Sequence, residues 1–159
     1  MNEGHAGFLG AERIRELVTG ADPGAGLDFD TALTVVRSST VFTTHTPVPA
    51  GIDRFPVEMV QRYFTDEGQS VTTLLPGVPT ERILALGAED DPTKFNMAHM
   101  GLRLAQRANG VSLLHGQVSR SMFNELWPGF DPDEVPIGSI TNGVHARTWA
   151  APQWLQLGR

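Results

Sequence analysis

The chain has 159 residues, 40% of them hydrophobic and 19% charged, with a formal net charge of −6. Such a length and mix suit one soluble domain with a real core, and the acidic balance leaves no basic patch for nucleic acid. There is no cysteine and no apolar run long enough to span a membrane, so neither a disulfide framework nor a membrane anchor is expected. The first residues lack the layout of a secretory signal, and the sequence predicts a cytoplasmic protein.

From Gly7 to Val18, Phe8, Ala11, Ile14, Leu17 and Val18 recur at helical spacing. Gly20, Pro23 and Gly24 should end that helix. Asp28 or Asp30 can cap a second helix that buries Leu33 and Val36. Val41 to Thr44 reads as a short strand, finished by His45 because Pro47 and Pro49 cannot donate to a sheet ladder. Pro56 suits the first position of a third helix, with Met59, Val60, Tyr63 and Phe64 as its apolar face. Thr80 can cap a fourth, about Glu81 to Leu86, closed by Gly87. A longer helix is predicted from about Phe95 to Ala108, with Phe95, Ala98, His99, Leu102 and Ala105 on one face and Asn109-Gly110 as its stop. Val111 to Leu114 reads as a buried strand, about Gly116 to Leu126 as a helix, Asp131 to Val135 as a loop, and Ile137 to Thr141 as a last strand. Helices alternating with short strands predict an α/β architecture with parallel strands.

In open α/β sheets, ligands sit beyond the carboxyl ends of the strands. Three polar clusters fall where such ends are expected: Thr44-His45-Thr46, His115-Gly116-Gln117 and Thr141-Asn142-Gly143. A turn stiffened by prolines holds its backbone at little further entropic cost, and so can aim a carbonyl or an imidazole. Each cluster also reads as an ordinary turn or cap. The histidines His5, His45, His99, His115 and His145 show no paired ligand spacing, so no metal site is expected. A GxSxG elbow, a P-loop and a GxGxxG fingerprint are all absent.

Four stretches carry more than any single motif: "NEGHAGFLGAERIREL", "TVFTTHTPVPAGIDRFP", "FNMAHMGLRLAQRANGVSLLHGQVSRSMF" and "ITNGVHARTW". In wording, order and approximate separation they resemble the α-glucan phosphorylases, the glycogen and maltodextrin phosphorylase family, in its bacterial form. The resemblance implies two Rossmann-like domains facing a cleft, the GT-B arrangement. Residues 1–143 would be the C-terminal part of the first such domain, and 144–159 the start of the crossover to the second. Both chain ends accordingly read as cuts through a larger fold. The implied reaction is phosphorolysis of an α-1,4-glucan or maltodextrin by inorganic phosphate, giving glucose 1-phosphate with retained configuration. The implied cofactor is pyridoxal phosphate, held by a Schiff-base lysine in the other domain and used through its phosphate group; a homodimer is implied as well.

By the same resemblance, His45 is the catalytic residue of this stretch. Its backbone carbonyl faces the anomeric region and its ring bonds the sugar's 6-hydroxyl. Asn142 holds that same hydroxyl, with Gly143 letting the backbone approach, and Glu3 and His5 match an acidic-x-His pair assigned to positioning. His115 resembles a family histidine of mainly structural use. The only lysine, Lys94, does not match the cofactor-lysine motif, so this chain by itself is expected neither to bind the cofactor covalently nor to turn over. A non-catalytic carbohydrate-binding module and a nucleotide-sugar GT-B glycosyltransferase remain as alternatives.

Overall fold

Val41–Thr44 (β1), Arg107–Gly110 (β4) and Ile137–Ser139 (β5) lie side by side in a parallel sheet, with β4 in the middle. In the computed structural model, which describes residues 1–20, 26–65, 74–76 and 78–157, the N-terminal residues extend this sheet. Asn2 bridges Thr43 in parallel, and the Glu3 N–H donates to the Thr43 carbonyl at 2.8 Å. A second, antiparallel pair joins Arg54–Pro56 (β2) to Lys94–Asn96 (β3). The parallel sheet fits the expected α/β class; the small antiparallel sheet was not expected.

The helices are Gly7–Thr19 (α1), Phe29–Ser38 (α2), Val57–Phe64 (α3), Thr80–Leu86 (α4), Met97–Arg103 (α5), Leu113–Met122 (α6), Ala146–Trp149 (α7) and Pro152–Leu157 (α8). Asp28 caps α2, its carboxylate accepting from the Thr31 N–H. Gly20 closes α1 at φ 67°, a conformation glycine adopts freely; Pro23 and Gly24 lie outside the described residues. Pro79, not Thr80, holds the cap position of α4, and the Thr80 hydroxyl instead donates to the Phe64 carbonyl at 2.9 Å. Pro56 likewise caps α3 and closes β2 instead of opening the helix. On α3 only Val60 and Phe64 are buried; Met59 and Tyr63 are exposed and line an apolar groove with Phe8 and Phe55. No helix among the described residues is long and apolar enough to cross a membrane.

α5 organises the core because it is buried on every side. Met97, Met100 and Leu104 pack into one cluster with Ala11, Ile14, Val36 and Ile83. Ala98, Leu102 and Ala105 pack into a second cluster with Phe42, Phe123 and Ile137. Two apolar faces of this short helix and the turn after it thus join the helical layer to the sheet. The fit is tight: a Cβ added at Gly101 would sit 2.3 Å from the Phe42 ring.

This helix is shorter than predicted at both ends. Phe95 and Asn96 belong to β3, and Asn96 caps the helix, its Oδ1 accepting from the Ala98 and His99 N–H groups at 3.0 and 3.1 Å. Beyond Arg103 the chain turns, and the Gln106 N–H donates to the Arg37 and Thr40 carbonyls. The residues read as a helix end and its Asn-Gly stop are the central strand β4. The predicted strand Val111 to Leu114 is therefore corrected: Ser112 caps α6, which starts at Leu113, and Leu113 and Leu114 are 75% and 70% exposed. α6 ends at Met122, followed by a one-turn 3-10 helix, Asn124–Leu126, where a continuous helix was expected. The Asp131–Val135 loop contains another such turn, Pro132–Glu134, closed by a capping box.

Candidate active site

All three parallel strands end at one edge, and that edge gathers most of the residues singled out by sequence. His45 follows β1, Val111 follows β4, and Asn142 lies three residues past β5. Beyond β5 the pairing continues: the Ile140 N–H donates to the Gly110 carbonyl at 2.9 Å and the Asn142 N–H to the Val111 carbonyl at 3.1 Å. His45 and Asn142 thus flank the central strand at its carboxyl end. Both are exposed, as is Gly143, where a Cβ would meet nothing within 4 Å.

Glu3 completes the edge from the other side of β1. The His45 N–H donates to Glu3 Oε1, and the Thr46 hydroxyl to Glu3 Oε2 at 2.5 Å. The carboxylate therefore grips the first two residues of the proline-braced turn across more than forty positions of sequence. To do so Glu3 adopts φ 61°, ψ 171°, a backbone region used almost solely by glycine. The next residue has no room for a side chain: a Cβ on Gly4 would lie 2.9 Å from the backbone of Met97 and Ala98. His5 stands exposed on the 3-10 turn Gly4–Ala6.

Burial would push the Glu3 carboxyl up, but the polar groups of the turn from Thr44 to Thr46, the Thr46 hydroxyl foremost, outweigh it and hold the group below the ordinary carboxylate range. A carboxylate so held is ionised at neutral pH and engaged at both oxygens. It suits an anchor and not a general acid, which needs a raised value. Because the folded value lies below the unfolded one, the stabilisation is full above the ordinary glutamate range and lost as pH falls through the depressed value. The difference in melting temperature between wild type and Glu3→Gln should accordingly be largest near neutral pH and shrink on acidification. A difference that is constant from pH 7 to pH 3 would contradict this.

The second predicted cluster moves. His115, Gly116 and Gln117 lie in the first turns of α6 and not at a strand end. His115 nevertheless touches the edge from below: the Val111 N–H donates to its Nδ1 at 3.2 Å. Val111 was not singled out from sequence, although its place between His45 and Asn142 follows directly once β4 is known. Thr46 carried a weak signal as part of the turn, but its bond to Glu3 had none.

His99 is a buried structural histidine. Its Nε2 lies 2.8 Å from Glu125 Oε1 and its Nδ1 3.2 Å from the Ala88 carbonyl. Burial pushes its imidazole below the ordinary range. Beside it, Arg54 Nε donates to Glu89 Oε1 at 2.9 Å, and Asn96 donates to the other Glu89 oxygen. Among the described residues, no three His, Cys, Asp or Glu side chains lie together as metal ligands. Lys94 sits on β3, paired with Pro56, in the other sheet from the carboxyl edge. The residues of this chain do not fit a pyridoxal group bound through a lysine at that edge.

A profile described as "Carbohydrate phosphorylase" matches residues 1–157. The chain belongs to the carbohydrate phosphorylase family. It is 84% identical over 160 residues to a glycogen phosphorylase of Mycobacterium tuberculosis (strain CDC 1551 / Oshkosh), covering 100% of this chain and 18% of that protein. It is 43% identical over 149 residues to a maltodextrin phosphorylase of Thermococcus litoralis, covering 94% of this chain and 16% of the relative. Similarity reaches a brain-form glycogen phosphorylase of Bos taurus, at 26% identity over 162 residues, 94% of this chain and 18% of that protein. The chain thus spans less than a fifth of the length of these relatives, and within the family it supplies a parallel sheet flanked by helices.

Proposed function

We propose that this chain forms one wall of the glucose subsite in an α-glucan phosphorylase of GT-B architecture. Residues 1–143 belong to its first Rossmann-like domain and 144–159 lead toward the second. The observation that carries this reading is the meeting of Glu3, His45 and Asn142 at one carboxyl edge, within a family match that covers residues 1–157.

In the reaction, the glycosidic C1–O bond of an α-1,4-glucan breaks and a C1–O bond to inorganic phosphate forms, with configuration retained. The departing oxygen takes its proton from the phosphate. The sugar passes through a state with oxocarbenium character, which fixed dipoles stabilise best because they need no reorganisation. The His45 carbonyl faces the anomeric region, while its ring and the Asn142 amide hold the 6-hydroxyl. The open space at Gly143 lets the backbone approach. Glu3 contributes by locking the turn that aims His45, and His5 stands beside it. Pyridoxal phosphate and its lysine belong to the rest of the protein, as do contacts for a homodimer; the setting is cytoplasmic.

In the full-length protein, glucan and phosphate should yield glucose 1-phosphate. His45→Ala and Asn142→Ala should each weaken transition-state stabilisation by about 1–3 kcal/mol, the worth of one hydrogen bond in a sheltered site. Unchanged kcat/KM in both variants would remove the assigned subsite. The 159-residue chain by itself, supplied with pyridoxal phosphate, should give no product, and turnover by it would overturn the division of labour.

A further inference from the structure

The His115 ring is placed more carefully than packing requires. It packs against the end of the central strand: a Cβ at Gly110 would stand 2.7 Å from its Nδ1. Gly110 ends the strand without a side chain, which leaves room both for the imidazole and for the backbone of His115 and Gly116. His115 is buried, with 8% of its surface exposed. Because the Val111 N–H points at Nδ1, that nitrogen accepts, and the neutral ring carries its proton on Nε2. Nε2 is buried and has no hydrogen-bond partner among the described residues. A leucine would fill this space without burying an unpaired donor. What the imidazole adds is the acceptor Nδ1.

That acceptor begins a relay of three groups. Nδ1 holds the Val111 N–H, and the Val111 carbonyl holds the Asn142 N–H at 3.1 Å. The backbone of His115 is itself pinned, its N–H donating to the Ser112 hydroxyl at 3.1 Å. We propose that His115 is a positioning residue for the sugar-binding edge: its Nδ1 fixes the Gly110–Val111 peptide, whose carbonyl accepts from the Ile140 N–H, and so sets Val111, whose own carbonyl holds the loop that carries Asn142. This inference rests on the reading of that edge as the glucose subsite. It differs from a purely structural role because it needs the acceptor and not the bulk.

The test uses the full-length protein. His115→Leu keeps the bulk and removes the acceptor, whereas His115→Asn puts Oδ1 as many bonds from Cβ as Nδ1 was. In the leucine variant, amide exchange at Val111 and Asn142 should quicken and kcat/KM should fall, each about tenfold, the scale of one hydrogen bond, while exchange in α1 and α2 stays as in wild type. The asparagine variant should recover both. Unchanged exchange at the two amides in the leucine variant, or an asparagine variant as impaired as leucine, would overturn the proposal. Should leucine not fold, nitrogen chemical shifts of the wild-type ring decide: a proton on Nε2 and a bare Nδ1 are expected, and the opposite tautomer ends the idea. A wild-type protein without phosphorolysis would defeat the reading of the edge, whereas the exchange rates and the tautomer test His115 independently of activity.

Discussion

Replacing Glu3 by alanine should lower kcat/KM for glucan phosphorolysis in the full-length protein by roughly 30- to 1,000-fold. That range corresponds to about 2–4 kcal/mol, two hydrogen bonds to an ionised carboxylate discounted for partial exposure. The bonds lost are those from the His45 N–H and the Thr46 hydroxyl. Without them the turn after β1 keeps its prolines but loses its side-chain anchor to Glu3, and the His45 carbonyl is no longer held in the place the proposed subsite requires. The strained backbone at Glu3 supplies a control. Glycine adopts φ 61°, ψ 171° without penalty, so Glu3→Gly should be the more stable variant by about 1–3 kcal/mol, yet equally impaired in turnover. Steady-state kinetics beside thermal unfolding separate the two effects. A glycine variant with wild-type kcat/KM would show that the carboxylate does not aim the turn.

Phe42→Ala should lower the local stability of β1 and α5 by about 3–5 kcal/mol, the usual loss for emptying a phenylalanine site in a close-packed core. Phe42 is fully buried, and its ring fills the space that Gly101 leaves against the strand. The cavity would lie between the sheet and the helix that joins both core clusters. Because β1 ends in the His45 turn, the loss should appear at the carboxyl edge as well as in the core. Hydrogen exchange of β1 and α5 in the full-length protein reads it. A change below about 1 kcal/mol would mean that the site collapses around the missing ring, which the tight Gly101 contact argues against.

The strand β1 was legible because Val-Phe-Thr-Thr is β-branched and aromatic and prolines close it. The central strand was not. Arg107-Ala-Asn-Gly contains no good strand former, and its state comes from pairing on both sides. Asn109 and Gly110 look like a turn in sequence; in the sheet Asn109 meets the Thr43 hydroxyl across the strands, and Gly110 makes room for a ring. The neighbouring Val-Ser-Leu-Leu misled in the opposite sense, since Leu113 and Leu114 are apolar yet point outward from a helix start. Ser112 was the available signal, a cap residue ahead of the run. β2 and β3 are three residues each and exist through their mutual register. Of the edge, His45, Asn142 and Gly143 fell in polar clusters expected at strand ends, while their roles, and Glu3 and His5 altogether, came from family resemblance. The grip of Glu3 on His45 and Thr46 is a contact between distant segments, and no local pattern encodes it.

The central claim is that a single hexose sits against this edge and is held by residues from two strands that flank a third. A structure of the full-length protein with a maltooligosaccharide bound tests it most directly. A glucose unit whose 6-hydroxyl is within hydrogen-bond distance of both the His45 ring and the Asn142 amide is the predicted result. A glucan bound at the cleft with either side chain turned away from every sugar atom would contradict it.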